Sequence, residues 1–230
     1  MSLLQRVGRL PRKYLSAGRV VFELRLRRPG DVRQALAWME GRRWYRDSLE
    51  VSQAPEEILW LLELVRAENP SRVVEIGTDQ GGTLFLWPYV AADEALIVAV
   101  DTRPLGPLGR VSPYALVRRS FARSRQRIEL MMPANSHDPA TVDRVRRSLG
   151  GRPIDVLFID GDHSYQGVKS DYELYSPLVR RGGIIALHDV DAVGAPDVRA
   201  FWQELKASLP TEELVASHGR RYGVGVVRVA

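Results

Sequence analysis

The chain has 230 residues, of which 45% are hydrophobic and 27% are charged. This length suits one α/β domain with a short extension and is too small for two full enzyme domains, and the apolar fraction argues against intrinsic disorder. The absence of cysteine excludes disulfides, zinc–thiolate sites, iron–sulfur clusters and a cysteine nucleophile. Since no run of about 18 apolar residues and no secretory signal pattern occur, we expect no transmembrane helix and a cytoplasmic location.

The net charge of +5 comes from the N-terminal segment. Residues 1–50 hold twelve Lys and Arg residues against five Asp and Glu residues, so the remaining 180 residues are slightly acidic. A basic arm can bind nucleic acid, an acidic membrane or another subunit. Because the arginines are scattered along the whole chain and no nucleic-acid-binding motif accompanies them, we expect no nucleic-acid partner.

Two helix starts are visible near the N-terminus. Asp31 is a candidate N-cap for a short helix through Glu40, and Pro55 lies near the first turn of a second helix. We predict a basic, helical N-terminal extension over 1–52 and one main domain over 53–230.

From residue 72 onward, short apolar runs alternate with helical stretches. The predicted strands are 72–77, 96–101, 127–132, 154–160 and 183–188, with a closing pair at 214–217 and 223–229. The predicted helices between them are 83–91, 112–126, 139–149 and 165–180. Near-continuous apolar strands that alternate with helices are typical of a parallel sheet covered on both faces. The sequence therefore predicts an α/β fold with a doubly wound, mostly parallel sheet, helices on both faces and a small helical N-terminal extension.

The loop after the first strand is a candidate cofactor site, because open α/β sheets bind ligands at the carboxyl ends of their strands. The candidate residues in and before this loop are Glu75, Gly77, Thr78, Gly81 and Thr83. Glycines let the backbone approach a ligand closely, but their spacing here differs from the dinucleotide fingerprint. Asp101 ends the next strand, where an acid can accept both ribose hydroxyls. The combination fits S-adenosylmethionine (SAM), an adenosine ligand without phosphates; the alternative is a plain turn with an N-cap acid.

A second group of polar residues follows the fourth and fifth strands. Asp160, His188 and Asp189 come to adjacent strand ends, and carboxylates with an imidazole can bind a divalent cation. His163 follows Asp160 by three residues, and an imidazole of near-neutral pKa suits a general base for a hydroxyl. The alternatives are that Asp162 or His163 caps the following helix and that His188 only orders its loop through a hydrogen bond.

The two stretches VVEIGTDQGGT and IDGDHSYQGVKSDYELYSPLVRRGGIIALHDV carry a family resemblance. Over about residues 53–230 the chain resembles class I SAM-dependent methyltransferases. More narrowly it is similar to the family that contains the cephalosporin hydroxylase-like and macrolide sugar O-methyltransferases, and more distantly to catechol O-methyltransferase. The resemblance implies a Rossmann-like sheet, SAM as methyl donor and a divalent metal, usually magnesium. In relatives, segments like the N-terminal one form a substrate lid or a subunit contact, so we expect a homo-oligomer.

The resemblance also implies roles for individual residues. Glu75 and Gly77 would contact the amino-acid end of SAM, and Asp101 would hold the ribose. Ser136 and His137 occupy the positions that bracket the adenine. The metal-ligand positions are Asp160, His188 and Asp189, and His163 occupies the position of the general base. The best-matching relatives carry an acid where this chain has His188.

We therefore predict a metal-dependent O-methyltransferase that acts on a hydroxyl of a small molecule, such as a sugar or phenol of a secondary metabolite or a glycolipid. Two alternatives stay open. His163 and His188 with one carboxylate could form an iron site for a hydroxylase of natural products. The chain could also be a SAM-binding partner subunit without catalytic activity.

Overall fold

The computed structural model describes residues 15, 17–41, 49, 52–105, 113–219 and 221–230. Much of the predicted extension over 1–52 lies outside the described residues. The described part of that extension contains two helices, α1 over 17–26 and α2 over Val32–Glu40. A third helix, α3, covers Pro55–Glu68.

The helix starts predicted from Asp31 and Pro55 are confirmed. The Asp31 carboxylate accepts a hydrogen bond of 2.8 Å from the backbone N–H of Gln34, which satisfies a free donor of the first helical turn. Pro55 is the first residue of α3, where its missing N–H costs no hydrogen bond. Buried side chains of α1, α2 and α3 belong to one hydrophobic cluster with the neighbouring face of the sheet.

Seven strands of the described chain form one sheet. They are β1 (Arg72–Ile76), β2 (Leu96–Val100), β3 (Arg127–Met131), β4 (Ile154–Ile159), β5 (Val179–His188), β6 (Thr211–Leu214) and β7 (Val224–Arg228). Their order is β3-β2-β1-β4-β5-β7-β6, with β1 to β5 parallel and β7 antiparallel to both β5 and β6. The remaining helices are α4 (Gly82–Leu86), α5 (Pro113–Arg119), α6 (Pro139–Ser148), α7 (Tyr165–Tyr175) and α8 (Pro196–Ser208). The predicted doubly wound α/β fold is confirmed.

Alternate residues of the central strands face opposite helical layers, as the two-residue period of a strand requires. Val156 and Phe158 of β4 pack in the cluster that contains α1 to α4, whereas Leu157 and Ile159 pack in the cluster that contains α6 to α8. Every residue of β4 is buried, which accounts for its nearly continuous apolar sequence, interrupted only by Asp155. Among the described residues, no helix has both the length and the apolar character to span a membrane.

The predicted ends of several elements are wrong. The helix predicted over 165–180 stops at Tyr175, because Pro177 lies in a short 3-10 turn and β5 begins at Val179. The helix predicted over 112–126 stops at Arg119. The first strand of the closing pair lies at Thr211–Leu214 rather than at 214–217.

Candidate active site

A cavity of about 780 Å³ opens at the carboxyl ends of β1, β2, β4 and β5. Its size falls in the range of small-molecule sites, and its position is where an open α/β sheet binds ligands. The predicted site residues that line it are Gly77, Thr78, Thr83, Asp101, Ser136, His137, Asp160, His163, His188 and Asp189. Glu75 and Gly81 do not line it. All the predicted metal residues and most of the predicted cofactor residues thus share one cavity.

Gly77 brings the loop after β1 against the end of β4. Its φ of +82° lies in the left-handed region, and a Cβ atom there would overlap the backbone carbonyl of Asp160 and lie 2.8 Å from Cα of Gly161. Only glycine meets both conditions without strain. This position therefore requires the glycine that the sequence places there.

Glu75 lies behind the cavity wall and is fully buried. The Thr78 hydroxyl donates to Oε2 of Glu75 at 3.2 Å, while Oε1 has no hydrogen-bond partner among the described residues. Burial raises the pKa of Glu75 to about 8. A buried carboxyl with a free oxygen beside a ligand cavity is the kind of perturbed group that functional sites contain.

Asp101 joins the loops that follow β1 and β2. Its Oδ2 accepts hydrogen bonds from the backbone N–H groups of Thr78 at 2.9 Å and Asp79 at 2.7 Å, and its Oδ1 accepts one from the N–H of Arg103 at 2.7 Å. These contacts fix the carboxylate at the cavity wall. Its role toward a ribose stays a prediction.

Ser136 and His137 are held by contacts with side chains of α7. The Tyr175 hydroxyl donates to the backbone carbonyl of Ser136 at 3.1 Å, and Nε2 of His137 lies 3.3 Å from Oδ1 of Asp171. Asp171 is fully buried, and burial raises its pKa. The two predicted adenine-site residues therefore have fixed positions at the cavity wall.

Asp160, His163, His188 and Asp189 form an acid–imidazole cluster in the same cavity. Nδ1 of His188 lies 3.2 Å from Oδ1 of Asp160 and 3.3 Å from Oδ2 of Asp189. Nε2 of His163 lies 3.6 Å and 3.3 Å from the same two oxygens. Single ligand atoms of Asp160, His163 and Asp189 all lie within 4.8 Å of one another. The predicted convergence of these side chains is what the structure shows.

The cluster attracts positive charge. Burial alone would raise the pKa of Asp160, but the two neighbouring imidazoles lower it. Burial alone would lower the pKa of His188, but Asp160 and Asp189 raise it. The hydrogen bond to Asp160 likewise raises the pKa of His163. The imidazoles and the carboxylates thus stabilise each other's charged forms, and the carboxylates would stabilise a bound cation in the same way.

The backbone around the cluster is specialised. Asp189 has a φ of +65°, a strained conformation for a residue with a side chain, and such strain is common at functional sites. Ser164 is the N-cap of α7, since its Oγ accepts from the N–H of Gly167 at 3.1 Å. Because Ser164 is the N-cap, and Asp162 accepts from the N–H of Ser164 itself at 2.9 Å, the alternative that Asp162 or His163 caps this helix is wrong.

Sequence reasoning missed residues that approach the cluster from distant segments. Gln53 donates a hydrogen bond of 2.6 Å from Nε2 to Oδ2 of Asp160, and the Tyr222 ring centroid lies 5.5 Å from that of His188. Ser52 also lines the cavity. No local motif marks these positions, because their role depends on contacts between segments more than 30 residues apart.

The loop that carries Tyr222 is tied to the first turn of α3. Oε1 of the buried Glu57 accepts backbone hydrogen bonds from Ala216 at 2.8 Å, Tyr222 at 3.3 Å and Gly223 at 2.9 Å. One carboxylate oxygen thus holds the β6–β7 loop against α3. This contact fixes the wall of the cavity that lies beside His188.

A family model described as a methyltransferase domain matches residues 74–190. The chain belongs to this methyltransferase family. It is 27% identical over 160 residues to an uncharacterised protein of Sinorhizobium fredii, a match that covers 68% of this chain and 17% of that protein. It is 56% identical over 116 residues to an uncharacterised protein of Acanthamoeba polyphaga mimivirus, covering 50% of each. The methyltransferase chain therefore spans at most about half the length of these curated relatives.

Solved structures share the methyltransferase fold. An O-methyltransferase from Bacillus cereus, solved in complex with S-adenosylhomocysteine (SAH), is 17% identical to this chain, with a TM-score of 0.59. The match covers 91% of this chain and 96% of that chain. The TDP-rhamnose 3'-O-methyltransferase CalS11 of calicheamicin biosynthesis is 15% identical with a TM-score of 0.55, covering 93% of each chain. At these identities the comparison establishes the fold, which is the Rossmann-like class I methyltransferase fold.

Proposed function

We propose that this methyltransferase is a SAM-dependent O-methyltransferase that uses a divalent cation, magnesium, and acts on a hydroxyl of a small molecule. The observation that carries the proposal is that the glycine loop at Gly77 and the acid–imidazole cluster open into one cavity. Methyl transfer requires the methyl donor and the activated hydroxyl to lie side by side in one cavity. Aligning them and excluding water are the main contributions of the protein.

The cofactor side of the cavity suits an adenosine ligand. Gly77 allows close backbone approach, Asp101 presents a carboxylate, and Ser136 and His137 stand at the far wall. We assign Glu75 and Gly77 to the amino-acid end of SAM, Asp101 to its ribose, and Ser136 and His137 to its adenine. Thr78, Gly81 and Thr83 lie in the β1–α4 loop or at the start of α4. When bound, SAM supplies an electrophilic methyl group that the acceptor oxygen takes as SAH leaves. The SAH complex of the Bacillus cereus structure supports SAM as the cofactor.

The acid–imidazole cluster fits a divalent cation. Its carboxylate oxygens suit magnesium or manganese, and its imidazole nitrogen is the donor that departs from an all-oxygen magnesium site. Nε2 of His188 is buried and has no hydrogen-bond partner among the described residues, so that ring is held only through Nδ1. A cation at the cluster would lower the pKa of an acceptor hydroxyl. We assign Asp160, His188 and Asp189 as its ligands.

We assign His163 as the general base because of its exposure. Its side chain is 49% exposed, whereas that of His188 is 4% exposed. Only the exposed imidazole can approach a hydroxyl of a bound acceptor and accept its proton. The carboxylates of Asp160 and Asp189 hold the ring in place from the other side.

The acceptor is a hydroxylated small molecule, and we propose a sugar or phenol of a secondary metabolite or a glycolipid. The cavity is large enough for a cofactor and a small acceptor together. CalS11, which acts on TDP-rhamnose, supports a sugar hydroxyl. A homo-oligomeric state and a cytoplasmic location stay predictions.

The test is calorimetric titration of SAH into the purified chain, first with magnesium and then with EDTA, followed by a methyl-transfer screen of hydroxylated natural products. We expect SAH to bind in both conditions and methyl transfer to require the metal. Absence of SAH binding in both conditions would overturn the proposal. Iron-dependent oxygen uptake without SAM would support the hydroxylase alternative instead.

A further inference from the structure

Gln53 is a buried polar residue in the turn before α3, and its side chain contacts the acid–imidazole cluster. It is 7% exposed, and its Nε2 donates the 2.6 Å hydrogen bond to Oδ2 of Asp160. An ionised carboxylate only accepts hydrogen bonds, so the amide nitrogen must be the atom that faces it. Hydrogen bonds to an ionised acceptor are shorter and stronger than those between neutral groups.

This hydrogen bond divides the two oxygens of Asp160 between two tasks. Oδ2 is held by Gln53, while Oδ1 lies 3.2 Å from Nδ1 of His188 and 3.6 Å from Nε2 of His163. Rotation of the carboxylate about its Cβ–Cγ bond would break the contact with Gln53. The amide therefore keeps Oδ1 directed toward the cluster.

The backbone that carries Gln53 is itself anchored. Two residues later Pro55 begins α3, and Glu57 in the first turn of that helix accepts three backbone hydrogen bonds from the β6–β7 loop. The amide thus presents its N–H from a fixed support, which is what holding a ligand in one orientation requires.

We propose that Gln53 is a positioning residue for the divalent cation, because it holds Asp160 so that Oδ1 stays available as a ligand. This inference rests on the proposed function. Groups that hydrogen-bond to metal-ligating side chains fix their orientation, and replacing such a group typically weakens metal affinity about 10- to 100-fold.

The experiment compares two buried glutamines in the full chain. Gln53→Met keeps the length of the side chain and removes the donor. Gln126→Met is the matched control, because Gln126 is also 7% exposed and donates to the carbonyls of Pro88 and Ala92, before the start of β2 and away from the cavity. Mn²⁺ affinity is measured by electron paramagnetic resonance of free Mn²⁺, and SAH affinity by calorimetry in EDTA.

We expect Gln53→Met to weaken Mn²⁺ binding at least tenfold and to leave SAH binding within twofold of wild type, whereas Gln126→Met changes neither. Should Gln53→Met fail to fold, Gln53→Asn keeps the amide on a shorter side chain that cannot reach Asp160, and it should weaken Mn²⁺ binding in the same direction. Mn²⁺ affinity within twofold of wild type would overturn the inference, as would a loss of SAH binding in EDTA. A wild-type chain that binds SAH but no Mn²⁺ would overturn both this inference and the metal part of the proposed function.

Discussion

A Cβ atom on Gly77 would overlap the backbone carbonyl of Asp160, so the loop after β1 lies directly against the backbone of the acid–imidazole cluster. Gly77→Ala should lower the free energy of unfolding by more than about 2 kcal/mol, because it adds a steric overlap to the strain of a positive φ. Gly150→Ala is the control, since Gly150 has a φ of +63° with open space around it. Chemical denaturation of both variants separates the effect of the steric overlap from that of the positive φ. Equal losses of unfolding free energy in the two variants would show that the overlap with Asp160 adds nothing.

The two histidines of the cluster should differ in what they support. His163→Ala should reduce turnover at least 100-fold through loss of the base, with SAH and Mn²⁺ affinities little changed. His188→Ala should weaken Mn²⁺ binding, because it removes a ligand and leaves Asp160 and Asp189 without their imidazole partner. Mn²⁺ titration and a methyl-transfer assay check this. If His188→Ala kept Mn²⁺ binding and His163→Ala lost it, His163 would be the metal ligand and His188 would not.

Glu75 should make the unliganded protein less stable as the pH rises. Its pKa of about 8 in the folded chain exceeds the ordinary value of 4.5, so the folded state binds the proton more tightly than the unfolded state. The loss of folding free energy caused by Glu75 is absent below about pH 4.5, grows between about pH 4.5 and about pH 8, and is constant above about pH 8.

Glu75→Gln should therefore gain stability relative to wild type across that interval, on the order of a few kcal/mol. Urea denaturation of both proteins at pH 5 and at pH 8.5 measures the difference. A constant difference at the two pH values would show that the Glu75 carboxyl ionises normally in the folded chain.

Glu57 should stabilise the cavity wall that carries Tyr222. Glu57→Ala removes the acceptor of two buried backbone N–H groups and a half-buried one, and it should cost about 2–4 kcal/mol, since an unsatisfied buried donor costs about 1–3 kcal/mol. Glu56→Ala is the neighbouring control, because Glu56 is exposed and, among the described residues, accepts only one longer hydrogen bond, of 3.4 Å, from the N–H of Ser217 in the same loop. Thermal melts and proteolysis within 215–223 report the effect, and equal stability of the two variants would exclude it.

The sheet could be predicted from the sequence because its parallel strands are buried on both faces. The run Ile154–Ile159 is apolar except at Asp155 for that reason, and the predicted strand matches it to within one residue. The start of β5 could not be predicted in the same way, because Val179 and Arg180 resemble a helix continuation and only the short turn through Pro177 separates them from α7. The edge strand β6 is half exposed and carries a weaker apolar signal.

Those site residues could be predicted from the sequence that directly follow or end the parallel strands. Asp160 and His188 were found in this way, because the topology brings strand ends to one edge. Gln53 and Tyr222 could not be found, since each depends on a contact across more than 30 residues and neither belongs to a strand end. The hydrogen bonds from backbone N–H groups that hold the Asp101 carboxylate could not be predicted either, because backbone donors are the same in almost every residue type.

The stretch that matches the methyltransferase family, residues 74–190, contains the glycine loop, Asp101 and the acid–imidazole cluster. Ser52, Gln53 and Tyr222 line the same cavity from outside that stretch. Under the proposed function, mutations of Ser52 or Tyr222 would therefore change the cavity wall without replacing any residue of the matched stretch. New specificities could arise in this protein by exchange of its flanks alone, and chimaeras with relatives joined near residues 70 and 195 are the natural place to look for them.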